Sequence, residues 1–132
     1  RINENHGLFF VGQIFDACVF ISRLIKQAQR EFILIGDYVD ETVLTLLDKR
    51  AEHVGATIYT HSVTKQLKLD VDKHNSQYQP IAIKSFRESH DRFICIDEKV
   101  YHIGASLKDL GKKWFAFSLM EDLSPNDLIR KM

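Results

Sequence analysis

A histidine, an arginine and a serine lie close together in the second half of the chain, and these residue types can hold a phosphate group. His90 is followed two residues later by Arg92, and Gly104 and Ser106 come after a further apolar run. An imidazole is a nucleophile or proton carrier near neutral pH, a guanidinium binds phosphate oxygens bidentately, and a hydroxyl donates to them. A His-x-Arg pair also suits a solvated strand edge, and the sequence Asp97-Glu98-Lys99 suits a simple turn. The residues alone therefore leave two interpretations, a phosphate site or the polar side of a hairpin.

The elements that must position these residues follow from two alternating hydrophobic periodicities. Helical spacing of apolar residues predicts amphipathic helices, and short β-rich apolar runs predict strands that are covered on both faces. The order of these elements predicts an α/β fold with a mixed β-sheet flanked by helices. The predicted helices are 12–30, 40–54, a more polar one that is capped by Ser62 and fades near 75–79, and one that is capped by Ser124; the predicted strands are 32–35, 56–60, 81–83, 92–96, 100–103 and 114–120.

Alternation along the predicted strand 92–96 decides on which face Arg92 lies. It puts Arg92 on the face of Ile94 and Ile96, opposite Phe93 and Cys95. If the strand already begins at His90, the imidazole and the guanidinium emerge together on one side. Gly104 would let a backbone approach a ligand closely.

Composition limits the class of protein. A chain of 132 residues with 45% hydrophobic content predicts one domain, 1–132, with a real core, and its 18 basic and 18 acidic residues give no overall field for a polyanion. Cys18 and Cys95 lie in apolar runs, which predicts buried free thiols and a reducing, cytoplasmic compartment. No run is apolar over the roughly 18 residues of a membrane span, so no membrane partner is expected. The chain begins with Arg1, so we expect an excised domain of a longer protein.

The remaining histidines and the basic residues near the C-terminus suggest little further chemistry. We expect no cofactor and no metal, because the surface histidines His6, His53, His61 and His74 have no spacing that suits a metal ion. His102 is expected to be packed or hydrogen-bonded. The sequence Lys112-Lys113-Trp114-Phe115 is either a nucleic-acid contact with a stacking ring or an aromatic strand after a lysine-rich turn.

The spacing of the polar residues resembles a known motif. His90-x-Arg92-x4-Asp97, followed after six residues by Gly104-Ala105-Ser106, is similar to the His-x-Lys-x4-Asp motif and Gly-Ser turn of the phospholipase D superfamily. The stretches GQIFDA, IGDYVDETVLTLLDKR and YHIGASLKDLGKKWFAFS resemble the single-motif phospholipase D-like domain at the C-terminus of bacterial proteins that are predicted to bind DNA. The resemblance extends from about Gly12 to Met120. It implies a phospholipase D-like fold with one motif copy per chain.

The resemblance also implies a reaction and roles for individual residues. The family hydrolyses phosphodiesters without metal through a phosphohistidine, with a second histidine as general acid and base. His90 would be the nucleophile, Arg92 the phosphate clamp and Asp97 a structural acceptor. Gly104 and Lys108 would contact the phosphate, and Ser106 would either contact the phosphate through its hydroxyl or serve as an orienting group. Glu121, with Asp109 as the second choice, would orient His90.

One motif copy supplies one histidine, so the reaction predicts a two-fold homodimer in which two copies of His90 converge on one phosphate. Two departures from the family pattern support a different interpretation. Arg92 stands where lysine is usual, and Leu107 stands where an asparagine is expected. The chain is thus either a phosphodiesterase or nuclease-like domain acting on nucleic acid or another phosphodiester, or a noncatalytic domain that serves dimerisation or phosphate and DNA binding.

Overall fold

The computed structural model describes residues 5–132, so Arg1 lies outside the described residues. The described chain forms seven strands, four α-helices and a short 3-10 turn that alternate along the sequence. The strands are β1 (His6–Phe9), β2 (Glu31–Ile35), β3 (Gly55–Thr60), β4 (Ala82–Ser85), β5 (Arg92–Ile96), β6 (Lys99–Ile103) and β7 (Phe115–Leu119); the helices are α1 (Ile14–Gln27), α2 (Glu41–Leu47), α3 (Lys65–Gln77) and α4 (Pro125–Ile129), with the 3-10 turn at Leu107–Asp109.

All seven strands form one mixed sheet in the order β1-β7-β6-β5-β2-β3-β4. β2, β3 and β4 run parallel, with α2 and α3 as crossovers, because a parallel connection needs a long return. The remaining neighbours are antiparallel, and β2 pairs with β5 in the register Ile35 to Phe93. The predicted α/β fold with a mixed sheet is confirmed.

Two apolar layers cover the two faces of the sheet. The larger layer joins α1, α2 and α3 to one face, which includes Ile94 and Ile96. The smaller layer, beneath α4, includes Cys95 and the half-buried Phe93. The predicted alternation of β5 is therefore confirmed. Burial, with the nearby Glu31 charge adding to it, raises the pKa of the Cys95 thiol to about 12, as expected for an inert structural thiol.

Helix α2 ends at Leu47, seven residues before the predicted end at Val54, and the buried Arg50 explains the difference. Its guanidinium donates to the carbonyl oxygens of Leu47 at 3.0 Å and Val54 at 2.8 Å. It also donates to those of Gln79 and Pro80, both at 2.9 Å. The guanidinium thus takes the place of the backbone N–H groups that would bond to such carbonyl oxygens in a longer helix, and the chain turns away early.

Two further helices differ from the predictions in their ends, and one strand was not predicted. The first helix is shorter at both ends than 12–30, since α1 covers Ile14–Gln27. Helix α3 is capped by Thr64, whose hydroxyl accepts from the Leu67 N–H at 3.1 Å, and not by Ser62. Strand β1 was not predicted, because four residues at a sheet edge carry too little periodicity.

No helix among residues 5–132 is long and apolar enough to cross a bilayer.

Candidate phosphate-binding site

Arg92 begins β5, and its side chain crosses the end of the neighbouring strand β2. A Cβ added to Gly36 would lie 3.0 Å from Arg92 Cγ, so the arginine side chain packs directly on the glycine. The sheet register explains this contact, because Ile35 pairs with Phe93 and the next pair outward is Gly36 and Arg92. Any larger residue at position 36 would move the guanidinium.

The Nε–H of Arg92 is buried and has no acceptor, the single such side-chain nitrogen or oxygen among residues 5–132. Arg92 lines a small cavity, with room for about one water molecule, that Gly36, Tyr38, Ser106 and Leu107 also line. A buried donor without a partner costs about 1–3 kcal/mol, and an anionic oxygen would remove that cost. This part of the chain is therefore suited to accept an oxygen ligand.

Tyr38 lies at the outer side of this cavity in a strained conformation. Its φ is 60°, in the left-handed region that a bulky residue seldom adopts. Its exposed ring centroid is 6.0 Å from Arg92 Cζ, at the limit of a cation–π contact. Gly36, Asp37 and Tyr38 were not among the predicted site residues; the signal was the glycine that ends β2.

Ser106 is 5% exposed and follows β6 at the start of the 3-10 turn. Its hydroxyl donates to Asp109 Oδ2 at 3.1 Å, and Lys112 Nζ donates to Asp109 Oδ1 at 3.3 Å. These bonds, first that of Lys112 and then that of Ser106, hold the pKa of the Asp109 carboxyl below its ordinary value. The serine hydroxyl is thus fixed by a carboxylate that stays ionised at neutral pH.

Gly104, predicted to let a backbone approach a ligand closely, lies against the neighbouring strand β7. A Cβ at this position would lie 3.0 Å from the carbonyl oxygen of Ala116 on β7. The Gly104 N–H donates to that same oxygen at 2.8 Å. The close neighbour of this glycine is therefore the β7 backbone.

His90 lies in the bend before β5 and is exposed. Because β5 begins at Arg92, the condition that the strand already starts at His90 is not met. The described residues offer His90 no hydrogen bond or ion pair. The imidazole is therefore accessible to a ligand or to another molecule.

Asp97 and Glu121 lie at the opposite end of the β5–β6 hairpin from Arg92. Asp97 follows β5, about 16 Å from Arg92 at ~3.3 Å per residue. It accepts the backbone N–H groups of Gln29 at 3.0 Å, Arg30 at 2.8 Å and Glu31 at 3.1 Å. Glu121 is exposed and lies two residues after the end of β7. The N–H of Met120, the residue before it, donates to the carbonyl oxygen of Val100 at the same end of the hairpin. Of the two carboxylates put forward to orient His90, the structure brings Asp109, and not Glu121, to the Ser106 side.

Other predicted residues are divided between surface and core. Lys108 is exposed on the 3-10 turn beside Ser106. In the basic-aromatic cluster Trp114 is exposed and packs edge-on against Phe10 at 4.9 Å, whereas Phe115 is buried. One of the four residues of that cluster, Phe115, is therefore core.

Two histidines have packed side chains. The prediction that His74 is a surface group is wrong, since its side chain is 8% exposed and Nε2 lies 2.6 Å from Asp48 Oδ1. The expected packing of His102 is found, 5.7 Å from the Phe93 ring. Residues 5–132 bring no three His, Cys, Asp or Glu side chains together in a way that could hold a metal ion.

Comparison with known proteins finds similarity in structure and not in sequence. No protein-family model and no curated protein matches the chain. NucT from Helicobacter pylori superposes with a TM-score of 0.61 at 11% identity, covering 96% of this chain and 91% of NucT. A polyphosphate kinase from Porphyromonas gingivalis gives 0.56 at 13% identity over 99% of this chain and 21% of the kinase. TrmBL2, an archaeal chromatin protein with a novel mode of DNA binding, gives 0.53 at 14% identity over 86% of this chain and 45% of TrmBL2.

The chain thus spans less than half of TrmBL2 and about a fifth of the polyphosphate kinase, but most of NucT. Coverage of nearly the whole chain at such low identity is similarity of fold. The seven-stranded mixed sheet and its helices are a phospholipase D-like α/β fold.

Proposed function

We propose that this domain is a phospholipase D-like phosphodiesterase that cleaves nucleic acid without metal, at a site shared by two subunits. The observation that carries the proposal is the unpartnered Nε–H of Arg92 beside Ser106, two residues from the accessible imidazole of His90. A donor that lacks an acceptor and a free nucleophile are two parts that a phosphodiester site needs. The Ser106 hydroxyl, which donates its one proton to Asp109, would turn from that carboxylate to donate to a phosphate oxygen.

The chemistry proceeds in two balanced steps. A nitrogen of His90 attacks phosphorus, a P–N bond forms, and the P–O bond to the leaving group breaks while a second imidazole protonates that oxygen. The second imidazole then takes a proton from water, the hydroxide oxygen attacks phosphorus, and the P–N bond breaks to free His90. Arg92 neutralises charge on the phosphate oxygens in both steps.

The second imidazole comes from the partner subunit in this proposal. The chain carries one copy of the motif, and an isologous two-fold interface can bring two copies of His90 to one phosphate. The exposure of His90, with no partner among the described residues, is compatible with such an arrangement.

Nucleic acid is the proposed substrate because two observations point to it. The phospholipase D-like fold is shared with TrmBL2, a chromatin protein that binds DNA. The sequence also resembles the C-terminal domain of bacterial proteins that are predicted to bind DNA, so we propose that the chain is part of such a longer, cytoplasmic protein.

The direct test is hydrolysis of plasmid, single-stranded DNA and a chromogenic phosphodiester, each with and without excess chelator. We expect at least one substrate to be cleaved at an unchanged rate in chelator, because His90 and Arg92 would take the parts that a metal ion takes elsewhere. Cleavage that chelator abolishes and magnesium restores would overturn the phosphohistidine mechanism. No cleavage of any substrate would favour the second function described below.

Replacing Arg92 tests the phosphate clamp. Arg92→Ala is expected to weaken inorganic phosphate binding by about 1.5–3 kcal/mol, the worth of a hydrogen bond to a charged group, whereas Arg92→Lys retains binding and hydrolysis. Isothermal titration with phosphate measures the change. The matched control is Arg130→Ala, whose guanidinium forms an exposed pair with Asp127 on α4. Equal affinity of Arg92→Ala and the unmodified domain would mean that the guanidinium does not bind the anion.

A second function is favoured by the arginine and by the size of the cavity. Arg92 and Leu107 replace the lysine and asparagine of the family pattern, and the cavity beside Arg92 has room for about one water molecule. A domain of this kind would bind a phosphate or DNA backbone, or dimerise its parent protein, without turnover. It would bind DNA with an affinity that Arg92→Ala lowers, while no substrate is cleaved.

A further inference from the structure

A groove runs between helices α1 and α2 on the helical layer of the domain. One stripe of α1, with residues at intervals of three and four from Phe15 to Lys26, faces Thr42, Thr45 and Leu46 of α2 and Lys49 in the turn that follows it. The groove has a volume of about 530 Å³. Val43, the residue of α2 that borders the Arg92 cavity, does not line the groove, and the two features share no residue.

The groove has an apolar floor and a basic rim. Cys18, Val19 and Leu46 form the floor and are half-buried. Phe15, 78% exposed, lies at one end. The rim carries three cations, Arg23 and Lys26 on α1 and Lys49 in the turn after α2, and no carboxylate lines the groove.

The charge of the rim is unusual in a chain whose 18 basic and 18 acidic residues cancel. Among residues 5–132, neither Lys26 nor Lys49 has an ion-pair partner for its ammonium group. Groups of one sign, gathered around an apolar strip, attract a partner that combines carboxylates with apolar side chains.

We propose that this groove docks an acidic amphipathic helix of a partner protein. Such a helix would set aliphatic residues at i, i+4 and i+7 on the floor and would direct Asp or Glu at the rim lysines. The stripe from Phe15 to Lys26 is about 16 Å long at 1.5 Å per residue, which corresponds to three turns of helix.

A nucleic acid fits the groove less well than an acidic helix does. Binding of single strands relies on several aromatic rings on which successive bases stack, and Phe15 is the one aromatic residue among the groove residues. A duplex backbone would contact the rim cations but would leave the floor of Cys18, Val19 and Leu46 unfilled. The thiol and aliphatic floor therefore favours aliphatic side chains as the occupant.

The test uses a fluorescent helical peptide of about 14 residues, or ~21 Å, with leucines on one face and glutamates beside them, and a control peptide with lysine for every glutamate. We expect saturable binding of the glutamate peptide, measured by anisotropy, and at least about ten-fold weaker binding of the lysine peptide. The double variant Lys26→Glu with Lys49→Glu is expected to reverse this preference. Phe15→Ala, at an exposed position, is expected to weaken both peptides without loss of folding.

Matched variants keep the result specific. Lys65→Glu with Lys68→Glu changes two exposed lysines of α3 by the same charge and is expected to leave peptide binding unchanged. Equal binding of the two peptides, or binding that the groove variants do not alter, would overturn the proposal. The proposal would also be overturned if the glutamate peptide did not bind and a labelled oligonucleotide bound to the domain but not to the double variant Lys26→Glu with Lys49→Glu. His90→Ala leaves the groove intact, so failure of the hydrolytic proposal has no effect on this test.

Discussion

Hydrolysis by His90→Ala is expected to be at least about 10³-fold slower than hydrolysis by the unmodified domain, because the variant has lost its nucleophile. The free energy of unfolding is expected to change by no more than about 0.5 kcal/mol, since His90 is exposed and makes no contact that the core needs. Rates of phosphodiester cleavage and urea unfolding curves measure the two effects. His6→Ala, at an exposed position on the edge strand β1, is the control and is expected to retain full activity.

The same variant tests whether two subunits share one site. If each site needs a His90 from both subunits, a dimer of one unmodified and one His90→Ala subunit has no complete site. Equal mixing with free exchange then leaves about a quarter of the activity, against about half if each subunit works alone. Exchange has to be verified with two affinity tags. Activity that falls in proportion to the mutant fraction, or a fully active monomer, contradicts the shared site.

The sequence predicts the parts of the fold in which local pattern and burial agree. The run Phe32 to Ile35 is a strand covered on both faces, and the alternation from Arg92 to Ile96 correctly divides its side chains between the two apolar layers. In both cases the period of the pattern matches the environment of the strand. The order of the elements then gives the mixed sheet.

Local pattern fails where a distant residue decides the local structure. The apolar spacing of α2 continues toward Val54, but the guanidinium of Arg50 bonds to carbonyls at both ends of the turn and to Gln79, about thirty residues away. No periodicity within α2 carries that information. The early end of the helix is a tertiary effect.

The candidate site shows the same division between local and distant information. The spacing of the motif is enough to predict Arg92 and Ser106 as site residues, because both are part of it. Gly36 and Tyr38 reach the site through the antiparallel pairing of β2 with β5, which spans more than fifty residues of sequence. The resemblance implies Glu121 as the carboxylate that orients His90, but the register of β7 on β6 places Glu121 at the far end of the hairpin.

Asp97 belongs to the motif by spacing but to the scaffold by its contacts, and its replacement is expected to lower stability strongly. Its carboxylate accepts three successive backbone N–H groups, those of Gln29, Arg30 and Glu31, where α1 leads into β2. Asp97 also has a φ of 53°, a conformation that Asp and Asn tolerate better than alanine. Asp97→Ala is therefore expected to reduce the free energy of unfolding at neutral pH by about 2–4 kcal/mol, as measured in urea.

The pH dependence distinguishes this bonded carboxylate from an ordinary surface acid. Burial alone would raise the pKa of Asp97, but the three N–H bonds and the Arg30 charge hold that pKa below its ordinary value. The stabilisation is then complete above the unfolded-state pKa of about 3.9 and is lost as pH falls through the lower folded-state pKa. Asp97→Asn, which keeps the shape and the tolerance of positive φ, is expected to be less stable than the unmodified domain at pH 7, with a difference that shrinks in acid.

Glu98→Gln removes the neighbouring exposed pair with Arg30 and is expected to cost less than about 0.5 kcal/mol. A pH-independent deficit in Asp97→Asn, or an equal loss in Glu98→Gln, would contradict the role of Asp97 as the acceptor that joins the β5–β6 turn to the start of β2.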